Sequence, residues 1–191
     1  MLIEENAMRI RQVLMAAFGC AALFTPALAE DTVSIDGHWI SASPEAQGGI
    51  YATREFHIEG DRWSVAFLAF ADEAASQPLF RIDVSGAYVI GGPSAAVDGA
   101  HEGIFPALQR DLTALSAGGV AMFAGMGCTL EEGVVKHLLD EACGFLPPLM
   151  QAMGEYDLVA VREDRLYFGD RSGDLTKARP TALTPFPLVR Q

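Results

Sequence analysis

Short runs of β-forming residues, each followed by a turn signal, occupy most of the sequence. The two runs in residues 51–72, YATREFHIEGDRWSVAFLAFAD, meet at Glu59-Gly60-Asp61, which is typical of a β-hairpin. Further predicted elements are hairpins at 78–92, turning at Ser85-Gly86, and at 156–168, turning at 162–164, and strands at 37–41, 95–105 and 108–115. The chain is therefore predicted to be mainly β and antiparallel.

One stretch has the pattern of an α-helix. Apolar residues recur at helical spacing over 130–142, and Thr129 with Glu132 has the form of a capping box. The apolar stripe of a helix must be buried against another element. An antiparallel β-barrel or half-barrel of about eight strands, with this one helix packed against it, fits the elements better than a β-sandwich.

Cysteines lie at both ends of the predicted helix, at Cys128 and Cys143. A helix running unbroken between them would separate their Cα atoms by ~22 Å. A disulfide tolerates a Cα separation of only about 7 Å. Either these cysteines are free thiols, or the helix is shorter than its pattern suggests.

Residues 1–29 are predicted to be a secretory signal peptide. Two arginines precede an apolar run at 13–24, and Ala27-Leu28-Ala29 has the A-x-A form of a cleavage site. The alternatives are a membrane anchor and lipoprotein processing at Cys20, but the apolar run is too short to span a bilayer comfortably. We therefore expect cleavage after Ala29, no transmembrane segment in the mature chain, and a periplasmic or secreted location.

Length and charge narrow the classes of function. Residues 30–191 have a length suited to one domain, and nothing in their sequence marks a second boundary. The full chain has a formal net charge of −12 and contains no cluster of Lys or Arg. Nucleic acids and anionic membrane surfaces select such clusters, so we expect no nucleic-acid partner.

The sequence contains no motif that indicates catalysis or metal binding. It lacks G-x-S-x-G, H-E-x-x-H and C-x-x-C. Its histidines are His38, His57, His101 and His137. They lie far apart and lack the spacing of metal ligands. We therefore expect no catalytic residue, no metal ligand and no cofactor, in a protein that is not an enzyme.

Residues 63–71, WSVAFLAFA, are apolar on both faces of a predicted strand, whereas an antiparallel strand normally shows one face to water. Either this strand is central and covered on both sides, or one of its faces lines an apolar cavity for a ligand. The residues predicted to face a common apolar interior are Trp39, Trp63, Val65, Phe67, Phe80 and Tyr88. We also expect Arg54 or Arg179 to cap Trp39 through a cation–π contact.

From about Gly37 to Leu188 the chain resembles the APCDDC domain, named for the adenomatosis polyposis coli down-regulated protein. The similar segments are GHWISASPE with TREFHIEG, CTLEEGVVKHLLDEACGF, and YDLVAVREDRLYFGDRSGDLTKARPTAL. They resemble the family's opening Gly-x-Trp and Thr-Arg-aromatic strand, its helix between two cysteines, and its closing pair of strands. The resemblance implies a hydrophobic barrel-like domain of a kind thought to accommodate lipid.

The chain departs from the family at two other cysteines. Pro44 stands where the family has a cysteine before its first Glu, and the cysteine expected between Asp72 and Pro78 is absent. If those two are lost partners, Cys128 and Cys143 are left to pair with each other. We predict this disulfide, with the regular helix confined to 134–142 and the preceding residues folded back along it at Gly133.

These inferences lead to two main hypotheses about function. The first is an exported, non-enzymatic protein that binds a lipid or other apolar molecule in a barrel cavity. The alternative is a protein–protein interaction or envelope assembly module without a ligand cavity, with an envelope protein as its partner. A filled interior with an exposed apolar patch would favour the alternative. A convergent polar cluster inside the barrel would favour a third hypothesis, an enzyme that uses the same cavity.

Overall fold

The computed structural model describes residues 33–151 and 154–191, so the predicted signal peptide and its cleavage site at Ala29 lie outside the described residues. The strands are β1 (Gly37–Ser41), β2 (Glu45–Gln47), β3 (Ile50–Glu59), β4 (Arg62–Phe70), β5 (Pro78–Ala87), β6 (Val89–Pro93), β7 (His101–Ile104), β8 (Ala107–Ala114), β9 (Val135–His137), β10 (Tyr156–Arg162), β11 (Arg165–Phe168) and β12 (Leu188–Arg190). One α-helix, α1 (Ala117–Gly125), and a 3-10 turn at Leu149–Gln151 complete the described elements.

The strands form one antiparallel sheet in the order β6-β7-β10-β11-β12-β1-β3-β4-β5-β8-β9, with β2 added to β3. The sheet curls into a half-barrel, and α1 packs against β5 and β8. This confirms the predicted fold class. The sheet has more strands than the predicted eight or so, because several short strands such as β2 and β12 extend it. No helix in the described part of the chain is long and apolar enough to cross a membrane.

Two of the three predicted hairpins are confirmed. β3 and β4 turn at Gly60-Asp61 and stay in register from Glu59 to Tyr51; β10 and β11 turn at Glu163-Asp164, both with positive φ. The predicted turn at Ser85-Gly86 is wrong, because β5 runs straight through it. A Cβ on Gly86 would lie 1.8 Å from the Pro106 carbonyl oxygen. This glycine therefore permits a close approach between strands and does not mark a turn.

The predicted helix at 130–142 is wrong, as is its shortened form at 134–142. The amides of this segment bond across to β8: Gly133 donates to the Ala114 carbonyl at 2.8 Å and Leu138 donates to the Arg110 carbonyl at 2.9 Å. Gly133 has φ +76°, which is incompatible with a right-handed helix. The segment therefore forms edge strand β9 flanked by irregular chain, and the apolar residues Leu130 and Leu138 are still buried.

The real helix, α1, begins after Ser116, whose hydroxyl accepts from the Gly119 amide at 3.3 Å. Its two consecutive glycines lower helix propensity, which explains why the sequence pattern did not indicate it. A Cβ on Gly119 would lie 1.9 Å from the Leu79 carbonyl oxygen. The glycine therefore allows the helix backbone to lie directly on the start of β5, where Phe123 is fully buried.

Most of the buried apolar residues of the described chain form two clusters, and both pack on one face of the sheet, here called the inner face. The helix-side cluster contains Ala69, Phe80, Ile82, Leu112, Ala114, Phe123, Cys128, Leu130, Leu138 and Cys143. The tryptophan cluster contains Ile35, Trp39, Phe56, Ile58, Phe105, Val159, Leu166, Phe168 and Leu188. The predicted pairing of Cys128 with Cys143 is confirmed: they form a disulfide with Cα atoms 5.1 Å apart inside the helix-side cluster.

Candidate functional site

The structure divides the six predicted pocket residues between the two clusters. Trp39 belongs to the tryptophan cluster, and Trp63, Val65 and Tyr88 pack against it. Phe80 belongs to the helix-side cluster, and Phe67 packs against that one, with its ring centroid 6.2 Å from that of Phe80. The two clusters adjoin on β4, because Val65 and Phe67 are two residues apart on the same face. The six residues therefore share a face of the sheet but not a single cluster.

Trp39 is fully buried. Its indole Nε1 donates to the Ile35 carbonyl at 2.8 Å, and the Arg190 guanidinium lies 4.2 Å from its ring centroid. The predicted cation–π partners, Arg54 and Arg179, are engaged elsewhere. Arg54 donates to Glu45 at 2.8 Å, and Arg179 lies over the ring of Tyr156. The contact to Trp39 comes from β12, the strand that pairs with β1. This strand was not predicted from the sequence.

The strand register aligns five residues in a row across the inner face. Trp39 is opposite Phe56, Phe56 is opposite Val65, and Val65 is opposite Val84. Val84 is in turn opposite Arg110 on β8. Neighbouring strands lie about 4.8 Å apart, so the row runs perpendicular to the strands. It joins a buried tryptophan at one end to a guanidinium at the other.

Between the two buried clusters, this face carries apolar side chains that are only partly buried. These residues, here called the apolar strip, are Trp63, Val65, Phe67 and Val84, on the long interior strands β4 and β5. Side chains at the centre of a closed barrel are normally enclosed. Because the half-barrel is open, it leaves the apolar strip in partial contact with solvent.

Arg110 is the charged group at the edge of the apolar strip. Its side chain is 8% exposed, and within the described residues its side-chain hydrogen bond goes to the Pro147 carbonyl at 3.1 Å. No carboxylate in the described part of the chain forms an ion pair with it, although Glu155 is near enough to oppose the effect of burial, which lowers the pKa of Arg110. Arginine stays protonated in proteins, so this is a buried positive charge that forms no ion pair with the acids the structure describes.

Sequence reasoning missed Arg110. The signal that indicates its position is the alternation Arg110, Leu112, Ala114, which places the arginine on the apolar face of β8. A guanidinium on a core face is unusual because burying an unpaired charge is costly. The alternation does not reveal whether a carboxylate pairs with Arg110, because that depends on residues distant in the sequence.

A second buried charge lies at the start of β10. Asp157 is 2% exposed and accepts hydrogen bonds from the amides of Leu158 at 2.7 Å and Gly169 at 2.8 Å. Arg171 donates to it at 3.2 Å and also to Glu155. Burial outweighs these contacts and raises the pKa of Asp157 to about 6. Both carboxylate oxygens of Asp157 are thus occupied by hydrogen bonds from within the fold.

The raised pKa of Asp157 predicts that stability falls as pH rises from about 4 to about 6. The folded state keeps the proton over this range whereas the unfolded state, with a pKa near 3.9, has lost it. The expected decrease in unfolding free energy from about pH 4.5 to about pH 6.5 is about 2 kcal/mol, measured by urea denaturation. Asp157→Asn should remove this contribution. Asp170→Asn is the control, at a carboxylate whose pKa is lowered by a hydrogen bond from Ser172. It should leave the pH-dependent contribution of Asp157 unchanged. A pH dependence unchanged in Asp157→Asn would contradict the assignment.

Comparison of the chain with family models and with curated proteins gives no match. The resemblance to the APCDDC domain therefore stays a prediction from the sequence, and the case for a function depends on the site itself.

Proposed function

We propose that the inner face of the half-barrel binds an apolar molecule that carries an acidic group, such as a fatty acid or an acidic lipid. The observation that carries this proposal is Arg110: a buried guanidinium that no acid among residues 33–151 and 154–191 pairs with, at the edge of the partly exposed apolar strip. A carboxylate or phosphate would supply the missing partner through charge-assisted hydrogen bonds. The disulfide, which persists in oxidising compartments, supports the predicted export of the protein.

The geometry of the row suits such a ligand. Val84 is directly opposite Arg110, and Val65 is one strand further along, about 10 Å from Arg110 at the usual strand spacing. An acyl chain lying across the strands would cover the apolar strip while its headgroup meets Arg110. Each Å² of apolar surface removed from water contributes roughly 25 cal/mol, so the strip supplies affinity and Arg110 supplies orientation.

The proposal is for binding without catalysis. Two acids are buried in the described part of the chain. Asp157 has its oxygens occupied by the amides of Leu158 and Gly169 and by Arg171. Glu45 accepts hydrogen bonds from Ser41 and Arg54. Such an acid is positioned to stabilise the fold, since a general acid or base needs an oxygen directed at the reacting group.

Titration of the delipidated protein with a fluorescent fatty acid tests the proposal. Saturable binding is expected, and Arg110→Gln should weaken it roughly 10-fold to 100-fold, because a hydrogen bond to a charged group contributes about 1.5–3 kcal/mol. The matched control is Arg81→Gln on the opposite face of β5, where the guanidinium is exposed and paired with Asp83. The control should bind as the unaltered protein does. Absence of saturable binding, or equal losses in the two variants, would reject the proposal.

A pair of substitutions at Phe67 separates the apolar strip from the charge. Phe67→Ala should create space on the apolar strip and change the preferred chain length while the fold survives. Phe67→Asp should abolish binding, because an unpaired carboxylate there is strongly disfavoured against an acyl chain. Far-UV circular dichroism shows whether each variant is folded. If both variants are folded and bind as before, the ligand does not contact the apolar strip.

One observation favours the alternative of a protein interaction module. Apolar side chains near the disulfide are about half exposed or more: Val134, Val135, Leu139, Phe145 and Met150. The backbone joins Leu139 to Met150, and such surface patches mark interaction sites when they are contiguous. Photo-crosslinking from position 145 in the intact cell envelope tests this function. A discrete cross-linked partner together with no fatty-acid binding would favour the module over the lipid-binding proposal.

A further inference from the structure

The outer face of the sheet brings together two histidines and a glutamate. The register of β1 and β3 places His38 directly opposite His57, and Glu55 lies two residues before His57 on the same face. The two imidazole rings stack with centroids 4.2 Å apart. All three side chains retain substantial solvent exposure, so an ion can reach them from solution.

The donor atoms of this group already converge. The Glu55 Oε1 atom lies 2.7 Å from His38 Nε2 and 3.5 Å from His57 Nε2, and one ligand atom from each residue falls within 4.8 Å of the others. In a tetrahedral zinc site, with metal–ligand bonds of about 2.0–2.2 Å, donor atoms are roughly 3.4 Å apart. Side-chain rotations on a fixed sheet are enough to reach that spacing.

We propose that His38, Glu55 and His57 bind a divalent transition metal ion of the zinc class. Two imidazoles and one carboxylate match the ligand set of open zinc sites, in which water takes the fourth position. Imidazole ligands favour zinc, copper and nickel over magnesium and calcium, which prefer oxygen. The site lies on the face opposite the apolar strip, so it stands independently of lipid binding.

The surroundings leave room for the open coordination position. A depression of about 150 Å³ lies beside the proposed metal site, and its lining includes Glu55, His57, Ser64, Arg81 and Asp83. Arg81 is held by Asp83 at 2.7 Å. A water molecule or small anion on the metal would therefore have polar neighbours on the floor and wall of the depression.

Calorimetric titration of the purified protein with zinc, carried out without a polyhistidine tag, tests this inference. One zinc ion per chain is expected. His38→Ala and His57→Ala should each weaken binding at least 10-fold, and Glu55→Gln should also weaken it. The matched control is His137→Ala, which removes an exposed outer-face histidine that contacts Asp111 but has no second imidazole in its cluster. The control should bind zinc with unchanged affinity.

A second readout is thermal stability. Zinc should raise the melting temperature of the unaltered protein and of His137→Ala, because binding to the folded state stabilises it. It should leave His38→Ala and His57→Ala unchanged, and magnesium should have no effect on any of them. Failure to bind zinc saturably at micromolar concentration, or an equal loss in His137→Ala, would overturn the proposal. The three side chains would then form only a hydrogen-bonded cluster that joins β1 to β3.

Discussion

Replacing Trp39 with alanine is expected to lower the free energy of unfolding by about 3–5 kcal/mol. Trp39 is fully buried in the tryptophan cluster, and its indole N–H bonds to the Ile35 carbonyl. Its removal would leave a cavity and an unpaired carbonyl at the junction of β1, β3 and β12. This junction joins the β10–β11 hairpin to β3 and β4. The substitution should therefore destabilise the whole sheet.

The matched control for this substitution is Trp63→Ala. Trp63 is also a tryptophan whose Nε1 bonds to a backbone carbonyl, that of Ala87 at 2.8 Å, but it is only partly buried and lies on the apolar strip. Urea denaturation followed by circular dichroism should show a clearly smaller loss for Trp63→Ala. Equal decreases in the free energy of unfolding for the two variants would mean that the burial of Trp39 at the strand junction contributes no extra stability.

The parts of the fold that depend on local sequence were predictable. The turns at Gly60-Asp61 and Glu163-Asp164 each contain a residue type that tolerates positive φ, Gly60 in the first and Asp164 in the second. Both turns are flanked by strands with β-forming side chains. The helix position was not predictable, because helical spacing over 130–142 also satisfies a segment that buries Leu130 and Leu138 while its amides bond to β8. Periodicity reports which residues are buried but not which hydrogen bonds accompany the burial.

The candidate sites, too, were predictable only where they depend on local sequence. Alternation correctly places Trp39, Phe67 and Phe80 on one face, but it says nothing about how far the sheet curls, and so it did not separate the two clusters. The histidine pair was missed for a related reason. His38 and His57 are far apart in the sequence and become neighbours only through the register of β1 and β3.

The disulfide was predicted from a family resemblance. The pairing is correct although the helix proposed to accompany it is absent. In place of that helix, the chain leaves α1, reaches Cys128, forms β9 along the sheet edge and returns to Cys143. Gly133 has a positive φ, but the predicted fold-back of the preceding residues along a helix is wrong, because the segment that follows Gly133 forms β9.

Replacing both Cys128 and Cys143 with serine is expected to lower the free energy of unfolding by about 3 kcal/mol, the value for closing a loop of this length in the chain-entropy model. The melting temperature should fall by roughly 6–12 °C, since a chain of this size loses about 2–4 °C per kcal/mol. Calorimetry of the oxidised protein, the reduced protein and the variant measures the loss.

The damage should be concentrated at one edge of the sheet. Among the described strands β9 pairs with β8 alone, over Val135 to His137, so without the disulfide few contacts oppose its detachment. Hydrogen exchange should therefore show early loss of protection at the amides of Gly133 and Leu138, which bond to β8, while the β3–β4 hairpin keeps its protection. Uniform loss of protection across the sheet would contradict a local role. In that case, the disulfide would stabilise the half-barrel as a single cooperative unit, because detachment of β9 would expose the helix-side cluster that contains both cysteines.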